Sequence, residues 1–171
     1  QDKYPGYEKI GARVIGSSSD NWYTTFMVDK GSDDGIEVDM NVIADGGLVG
    51  IVTKVGHNYS VIKTVVEDNN FVSAMLIDSG DTCTVKGDIE LLDQGLAHLQ
   101  YFKSGLTIRN GDKIVTSNIS DKYLPGLLIG YAKDVKSDAN NLTLSGYLVP
   151  AVDFEHLQEV LIITQKKEKS E

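Results

Sequence analysis

Residues 41–55, NVIADGGLVGIVTKV, decide the fold of this chain. Apolar and β-branched residues on both sides of Asp45-Gly46-Gly47 favour extended strands. An Asp-Gly pair between two such runs is a strong signal of a tight β-hairpin. The sequence therefore predicts a strand from Asn41 to Ala44, a turn, and a second strand from Leu48 to Val55.

The same pattern of short apolar segments separated by Gly, Asp and Asn extends along the chain, with turn signals about every 8 to 12 residues, as in sandwiches and small barrels. Further strands are predicted at Tyr23–Val28, Ser60–Val66, Phe71–Ile77, Thr82–Val85, Leu96–Phe102, Ile114–Thr116, Leu127–Val135, Leu142–Val149 and Val160–Thr164. Helical periodicity is scarce, and only residues 153–158 indicate a turn of helix, with Asp153 as its N-cap. We expect an all-β fold.

A weak internal repeat indicates two lobes of related design. Residues 35–52 and residues 108–132 each place a short strand before a loop, followed by an apolar strand that contains a glycine. Interior glycines usually mark a bend or bulge, so Gly50 and Gly130 are predicted corners of two small barrels. Gly35, Gly47 and Gly111 are assigned to turns. Strands rich in Gly and Val also match one another by chance, so the alternative that the repeat has no structural meaning stays open.

The composition excludes some classes of partner. Sixteen Lys and Arg residues stand against 25 Asp and Glu, a formal charge of −9, and no basic stripe is present, which argues against nucleic-acid binding. Cys83 is alone, so no intrachain disulfide can form. The sequence has neither a signal peptide nor an apolar run of about 18 residues, and it does not begin with Met. We expect it to be a piece of a longer protein.

No constellation of residues indicates catalysis, and we expect neither a metal nor a cofactor. The acidic loop Asp29–Gly35 departs from a calcium-binding pattern at the positions that need ligands and glycine. The three histidines lack the spacing of a zinc pair. Ser79 and His57 could belong to a serine hydrolase, yet the sequence around Ser79 is that of an ordinary polar turn. Trp22 and its neighbouring aromatic residues leave open a peptidoglycan-binding module that stacks on sugars.

The order of motifs along nearly the whole chain resembles the extracytoplasmic domain of MreC, the rod shape-determining protein. The motifs that carry this resemblance are Ala12-Arg13-Val14-Ile15, Asp20-Asn21-Trp22-Tyr23, Val28–Ser32, Gly47-Leu48-Val49-Gly50, Asn110–Ser117, Tyr123–Gly130 and Val149–Val160. The resemblance implies two β-barrels, arranged as in chymotrypsin-like proteases but without catalytic residues, with the second barrel inserted into the first.

The resemblance also implies a function and partners. Proteins of this family act as scaffolds of the cell-wall elongation machinery outside the bacterial plasma membrane. They associate with themselves, with MreD, and with a class B penicillin-binding protein and its partner polymerase. A coiled coil and a single transmembrane helix, which anchors the protein, precede the barrels in the family. We therefore expect a membrane-anchored, non-enzymatic domain in the periplasm or cell-wall space.

The resemblance divides the chain into two lobes. The first lobe is expected to contain residues 8–67 and 149–165, and the second lobe residues 68–148. Residues 1–7 are expected to be the remnant of a coiled-coil linker, and residues 166–171 a solvated charged tail.

Residues 118–125 depart from the family pattern, because Asn118–Lys122 replaces the usual glycines and Pro125 directly precedes Gly126. Three apolar side chains, Ile119, Tyr123 and Leu124, stand in this otherwise polar loop. Apolar groups in a surface loop need a cover. The sequence leaves two alternatives open: these side chains close the end of the second barrel, or they contact a partner protein.

Overall fold

The chain forms two closed antiparallel β-barrels in a computed structural model that describes residues 3–17, 24–101, 108–137 and 144–168. The strands are β1 (Lys9–Gly16), β2 (Thr25–Val28), β3 (Asn41–Ala44), β4 (Gly47–Val55), β5 (Ser60–Thr64), β6 (Phe71–Leu76), β7 (Thr82–Lys86), β8 (Ala97–Tyr101), β9 (Lys113–Thr116), β10 (Leu128–Ser137), β11 (Leu144–Pro150) and β12 (Glu159–Ile163). One short helix, α1 (Ile89–Leu92), and two 3₁₀ turns (Ser32–Asp34 and Phe154–His156) complete the described elements.

The first barrel closes in the strand order β1-β12-β3-β4-β5-β2. Its central hairpin joins β3 to β4 through Asp45 and Gly46, whose φ angles of 53° and 80° are both left-handed. This is the geometry that an Asp-Gly hairpin turn requires, so the predicted hairpin is confirmed, except that Gly47, which was assigned to the turn, is the first residue of β4. The last strand, β12, pairs with β1 and β3 and so closes the first barrel.

The second barrel closes in the order β10-β11-β8-β7-β6-β9. β11 remains in this barrel through Pro150, which pairs with Gly130. The chain thus leaves the second barrel two residues after the predicted boundary at residue 148. The predicted all-β class with two barrels is confirmed. Within the described ranges, no helix is long and apolar enough to cross a membrane.

Both barrels have a register shift beside a glycine of the predicted repeat. The pairing of β4 with β3 shifts register just before Gly50, and the pairing of β10 with β9 shifts just before Gly130. A Cβ atom at Gly50 would collide with the backbone carbonyl of Lys63, and one at Gly130 with that of Val149. Each glycine therefore lies beside a bulge where the next strand approaches too closely for a side chain.

A continuous apolar core fills both barrels and the space between them. Buried residues alternate with half-buried or exposed ones in β5, β6 and β7, as a barrel wall requires. Gly47 lies against Ala151 and Val152, in the segment that leads from the second barrel back to the first. Contacts between β4 and β10 also join the two barrels. The barrels therefore pack directly against each other.

Candidate interaction surface at the barrel junction

The loop from Ser117 to Leu127 connects β9 to β10, in the place where the first barrel has a two-residue turn. Its base is held by Thr116, whose buried hydroxyl donates to the carbonyl of Leu124 and accepts from the amide of Leu127. Within the loop, the hydroxyl of Ser117 accepts from the amide of Ile119, and that of Ser120 accepts from the amide of Tyr123. Side-chain hydrogen bonds thus shape a loop that lacks the glycines of the family pattern.

Asn41 of the first barrel binds the backbone of this loop. Its side chain is fully buried, with Oδ1 accepting from the amide of Leu124 at 2.8 Å and Nδ2 donating to the carbonyl of Lys122 at 3.0 Å. An amide side chain has a donor and an acceptor, so it can satisfy both groups at once. Asn41 therefore fastens the loop of the second barrel to the first barrel.

Tyr4 forms a second link between the barrels. Its hydroxyl donates to the carbonyl of Gly46 in the first barrel at 2.9 Å and accepts from the amide of Leu128 in the second at 3.0 Å. Residues 3–7 form turns and bends rather than helix. This part of the expected coiled-coil remnant therefore docks on the barrels.

The structure separates the three apolar residues of the loop. Tyr123 and Leu124 are only 5% and 3% exposed, whereas Ile119 is 65% exposed. Burial raises the pKa of Tyr123 above its ordinary value; Glu67 and Asp39 add to this effect, and a hydrogen bond with Asn70 opposes it. Its phenol is therefore neutral at physiological pH. The burial of Tyr123 and Leu124 favours the alternative in which they close the end of the second barrel. Only Ile119 of the three is available to a partner.

The surface around Ile119 includes both barrels and the segment after β12. Lys167 donates to the carbonyl of Asn118 at 2.9 Å, and Lys166 lies 3.2 Å from the carboxylate of Glu37. Val38, next to Glu37, is 45% exposed. The first residues of the expected solvated tail therefore contact the barrels, although exposed ion pairs of this kind contribute little stability. Ile119 and Val38 are the apolar groups of this junction surface.

The residues considered for hydrolysis do not meet. Ser79 lies in the turn between β6 and β7 of the second barrel, where its hydroxyl accepts from the amide of Asp81. His57 lies in the turn between β4 and β5 of the first barrel, exposed and 3.8 Å from Asp33. A nucleophile needs its base within hydrogen-bond reach. This pair therefore cannot form a catalytic unit.

The carboxylates that could suggest a metal site have structural roles. In the loop 29–35, the carboxylate of Asp29 accepts from the amide of Arg13, and that of Asp34 from the amide of Gly31. The bond from Arg13 lowers the pKa of Asp29.

Gly35 and Gly111, both assigned to turns, have φ angles of 88° and 91°, which favour glycine.

Asp153, Glu155 and His156 bring three possible metal-binding atoms within 4.8 Å of one another. Asp153 accepts from the amide of Glu155 and lies 2.7 Å from Nδ1 of His156, which raises the pKa of that imidazole. The predicted N-cap at Asp153 is confirmed, and the cap explains why these exposed groups converge.

Trp22, on which the sugar-binding alternative depended, lies outside the described residues.

Comparison with known proteins gives one family. Residues 14–164 match the model of the family described as rod shape-determining protein MreC, barrel core. The cell shape-determining protein MreC of Listeria monocytogenes is 27% identical over 169 residues, which are 98% of this chain and 57% of that protein. The chain thus spans little more than half the length of this relative.

Solved structures have the same architecture. A structure of MreC from Listeria monocytogenes has a TM-score of 0.82 at 28% identity, covering 96% of this chain and 79% of that one. The major periplasmic domain from a cell shape-determining MreC filament gives 0.73 at 22% identity, covering 91% and 95%. MreC in a complex with the penicillin-binding protein PBP2, both from Helicobacter pylori, gives 0.67 at 12% identity, covering 92% and 98%.

Proposed function

Because this chain belongs to the MreC family of rod shape-determining proteins, we propose that it is the barrel core of a non-enzymatic scaffold for bacterial cell-wall synthesis. The observation that carries this proposal is that the family match, residues 14–164, spans both barrels. In this role the domain organises cell-wall synthases and thereby controls rod shape.

The junction between the barrels supports a scaffolding role. A scaffold must hold its contact surfaces in a fixed relation, and the buried hydrogen bonds of Asn41 tie the loop of the second barrel to the first. Buried, satisfied polar groups make one arrangement more stable than its alternatives. Surfaces on the two barrels are thereby presented together.

A class B penicillin-binding protein is the first proposed partner. The MreC of Helicobacter pylori, which shares this fold, has been solved in a complex with PBP2. The neighbour described as part of a filament supports self-association as a second property. MreD and the polymerase that works with the transpeptidase complete the set of proposed partners, on the basis of the family resemblance.

The proposed location is the extracytoplasmic face of the plasma membrane. A neighbour with the same fold is a periplasmic domain, which supports this location. We propose that a single transmembrane helix and a coiled coil preceding the barrels anchor the full-length protein.

Binding to the transpeptidase tests the proposal. The extracytoplasmic part of the class B penicillin-binding protein from the same organism is immobilised, and binding of this chain is measured by biolayer interferometry. We expect saturable binding by the parent chain. Ile119→Asp should weaken it at least tenfold, because apolar anchors dominate interfaces. Ile15→Asp places the same charge at a position of similar exposure, 54%, at the end of β1 remote from Asn41 and the loop, and should bind like the parent.

Cell shape provides the second readout. Full-length protein carrying either substitution is expressed in cells depleted of the native protein. Ile119→Asp should leave rounded cells, and Ile15→Asp should restore rods. If neither the isolated chain nor the full-length protein binds the transpeptidase, the proposed scaffold function is wrong. Restoration of rods by Ile119→Asp would instead move the contact surface away from Ile119.

A further inference from the structure

The strand register of the second barrel creates a row of aromatic and cationic side chains on its outer surface. Lys86 on β7 lies directly opposite His98 on β8, and His98 lies opposite Tyr147 on β11. Phe71 on β6 extends the row beside Lys86, and Lys133 on β10 extends it beside Tyr147. Residues far apart in the sequence are thus neighbours across five adjacent strands.

The members of this row contact one another. The Nζ of Lys86 lies 5.4 Å from the ring centroid of Phe71, a cation–π distance. The rings of His98 and Tyr147 are stacked, with centroids 6.2 Å apart and planes at 29°. Asp88 holds His98 in place, with 2.8 Å between its Oδ2 and Nε2 of the imidazole. The aromatic groups are therefore fixed in position on the barrel wall.

A second row of neutral polar side chains runs parallel to the first. Thr84, Gln100 and Ser145 lie opposite one another on the same three strands, two residues along from Lys86, His98 and Tyr147. Two residues along a strand correspond to about 7 Å, on the same side of the sheet. We call the part of these two rows on β7, β8 and β11 the outer face; its residues are Thr84, Lys86, His98, Gln100, Ser145 and Tyr147, and Phe71 and Lys133 flank it.

The outer face differs in charge from the rest of the protein. The chain has 25 Asp and Glu residues, yet none lies within β6, β7, β8 or β11. Apart from Asp88, whose carboxylate is paired with His98, and Asp134 on β10, the wall of the barrel here is neutral or positive, while the chain as a whole carries −9. An acidic ligand would therefore meet less repulsion here than elsewhere and would find Lys86 and Lys133 at the two sides of the aromatic pair.

We propose that the outer face binds an acidic glycan strand. The stacked rings provide a surface for the apolar faces of sugars, and the hydroxyl and amide groups of the second row match sugar hydroxyls. The lysines complement carboxylate substituents. The face extends about 10 Å over two strand spacings and about 7 Å along the strands, which fits a short stretch of oligosaccharide. A protein partner would need about 800 Å² of surface.

This proposal rests on the proposed location outside the membrane but not on the proposed protein partners. The test uses soluble glycan strands from bacterial cell wall, freed of their peptides by an amidase so that the muramic carboxylates remain. Binding to the parent chain is measured by isothermal titration calorimetry, and chitohexaose serves as the neutral probe. Amide chemical shifts of the parent chain show where each ligand binds.

The matched variants exchange one lysine and one tyrosine each. Lys86→Ser with Tyr147→Ser should weaken binding of the acidic strands at least tenfold. Lys54→Ser with Tyr59→Ser removes an exposed lysine and a half-buried tyrosine of the first barrel, and should change binding less than twofold. In the parent chain, the acidic strands should shift amides of β7, β8 and β11, and chitohexaose should bind at least threefold more weakly.

The proposal would be overturned if the parent chain did not bind acidic strands, if both double variants lost binding equally, or if the shifts were confined to other strands. The chemical shifts need only the parent chain, so they decide the matter even if a variant fails to fold. If the Lys86 and Tyr147 variant loses transpeptidase binding but keeps glycan binding, the face is a protein contact. That last result would refute the glycan site and leave the scaffold function in place.

Discussion

Replacing Asn41 by Ala should loosen the junction between the barrels. The change removes the acceptor of the buried amide of Leu124 and the donor that reaches the carbonyl of Lys122. A buried polar group left without a partner costs about 1 to 3 kcal/mol. With the second hydrogen bond also lost, we expect the free energy of unfolding to fall by about 2 to 4 kcal/mol. For a domain of this size, that corresponds to a decrease of about 4 to 16 °C in Tm.

Thermal unfolding followed by circular dichroism measures this loss, and hydrogen exchange locates it. The amide of Leu124 should exchange much faster in Asn41→Ala, whereas amides in the centres of both barrels should change only with global stability. Asn58→Ala makes the same substitution in the exposed turn between β4 and β5 and should melt like the parent. An Asn41→Ala protein that melts within about 1 °C of the parent and still protects Leu124 would refute the role assigned to Asn41.

Other changes test the loop, the bends and the thiol. Tyr123→Ser with Leu124→Ser should lower the free energy of unfolding by several kcal/mol, because both side chains are buried; an unchanged midpoint in a denaturant titration would contradict this. Gly50→Val and Gly130→Val should each lower stability by about 1 to 3 kcal/mol or more, since the new Cβ meets backbone; wild-type melting would refute the bend assignment. Burial raises the pKa of Cys83 to about 12, so a thiol reagent at pH 8 should modify it only after unfolding.

Local turn chemistry made much of the fold predictable. The hairpin strands end at Ala44 and begin at Gly47, because Asp45 and Gly46 accept left-handed angles that most residues avoid. The glycines at the bends, Gly50 and Gly130, were also recognisable. Glycine weakens the interior of a strand, so its presence there indicates a bulge or a close approach of another backbone. These features depend on neighbours in the sequence, and so the sequence alone indicates them.

Some elements carried no usable local signal. The residues of β1 did not predict a strand, because only Ala12 is buried in it and two glycines interrupt it. The helix α1 is four residues long, too short for helical periodicity to appear. The expected loop residues Ile119, Tyr123 and Leu124 were recognised as needing a cover, but their separation into buried and exposed members depends on how the barrels pack.

The candidate surfaces depend on contacts between distant parts of the chain. Asn41 reads as an ordinary first residue of a strand, and its partner Leu124 is 83 residues away in sequence. The outer face requires the order β7-β8-β11, which places Tyr147 beside His98. Strand order in a barrel follows from packing and chain crossing, and turn signals do not specify it. Such surfaces could not be found from the sequence alone.

The two halves of the repeat share their bends but differ in the connection between their strands, and this difference couples the barrels. In the first barrel, a two-residue turn keeps the end of the hairpin compact, so that Gly47 can lie against Val152. In the second barrel, residues 117–127 replace that turn, and their backbone reaches Asn41. A substitution at Asn41 should therefore weaken assembly with partners that contact both barrels, even though its side chain is buried and touches none of them.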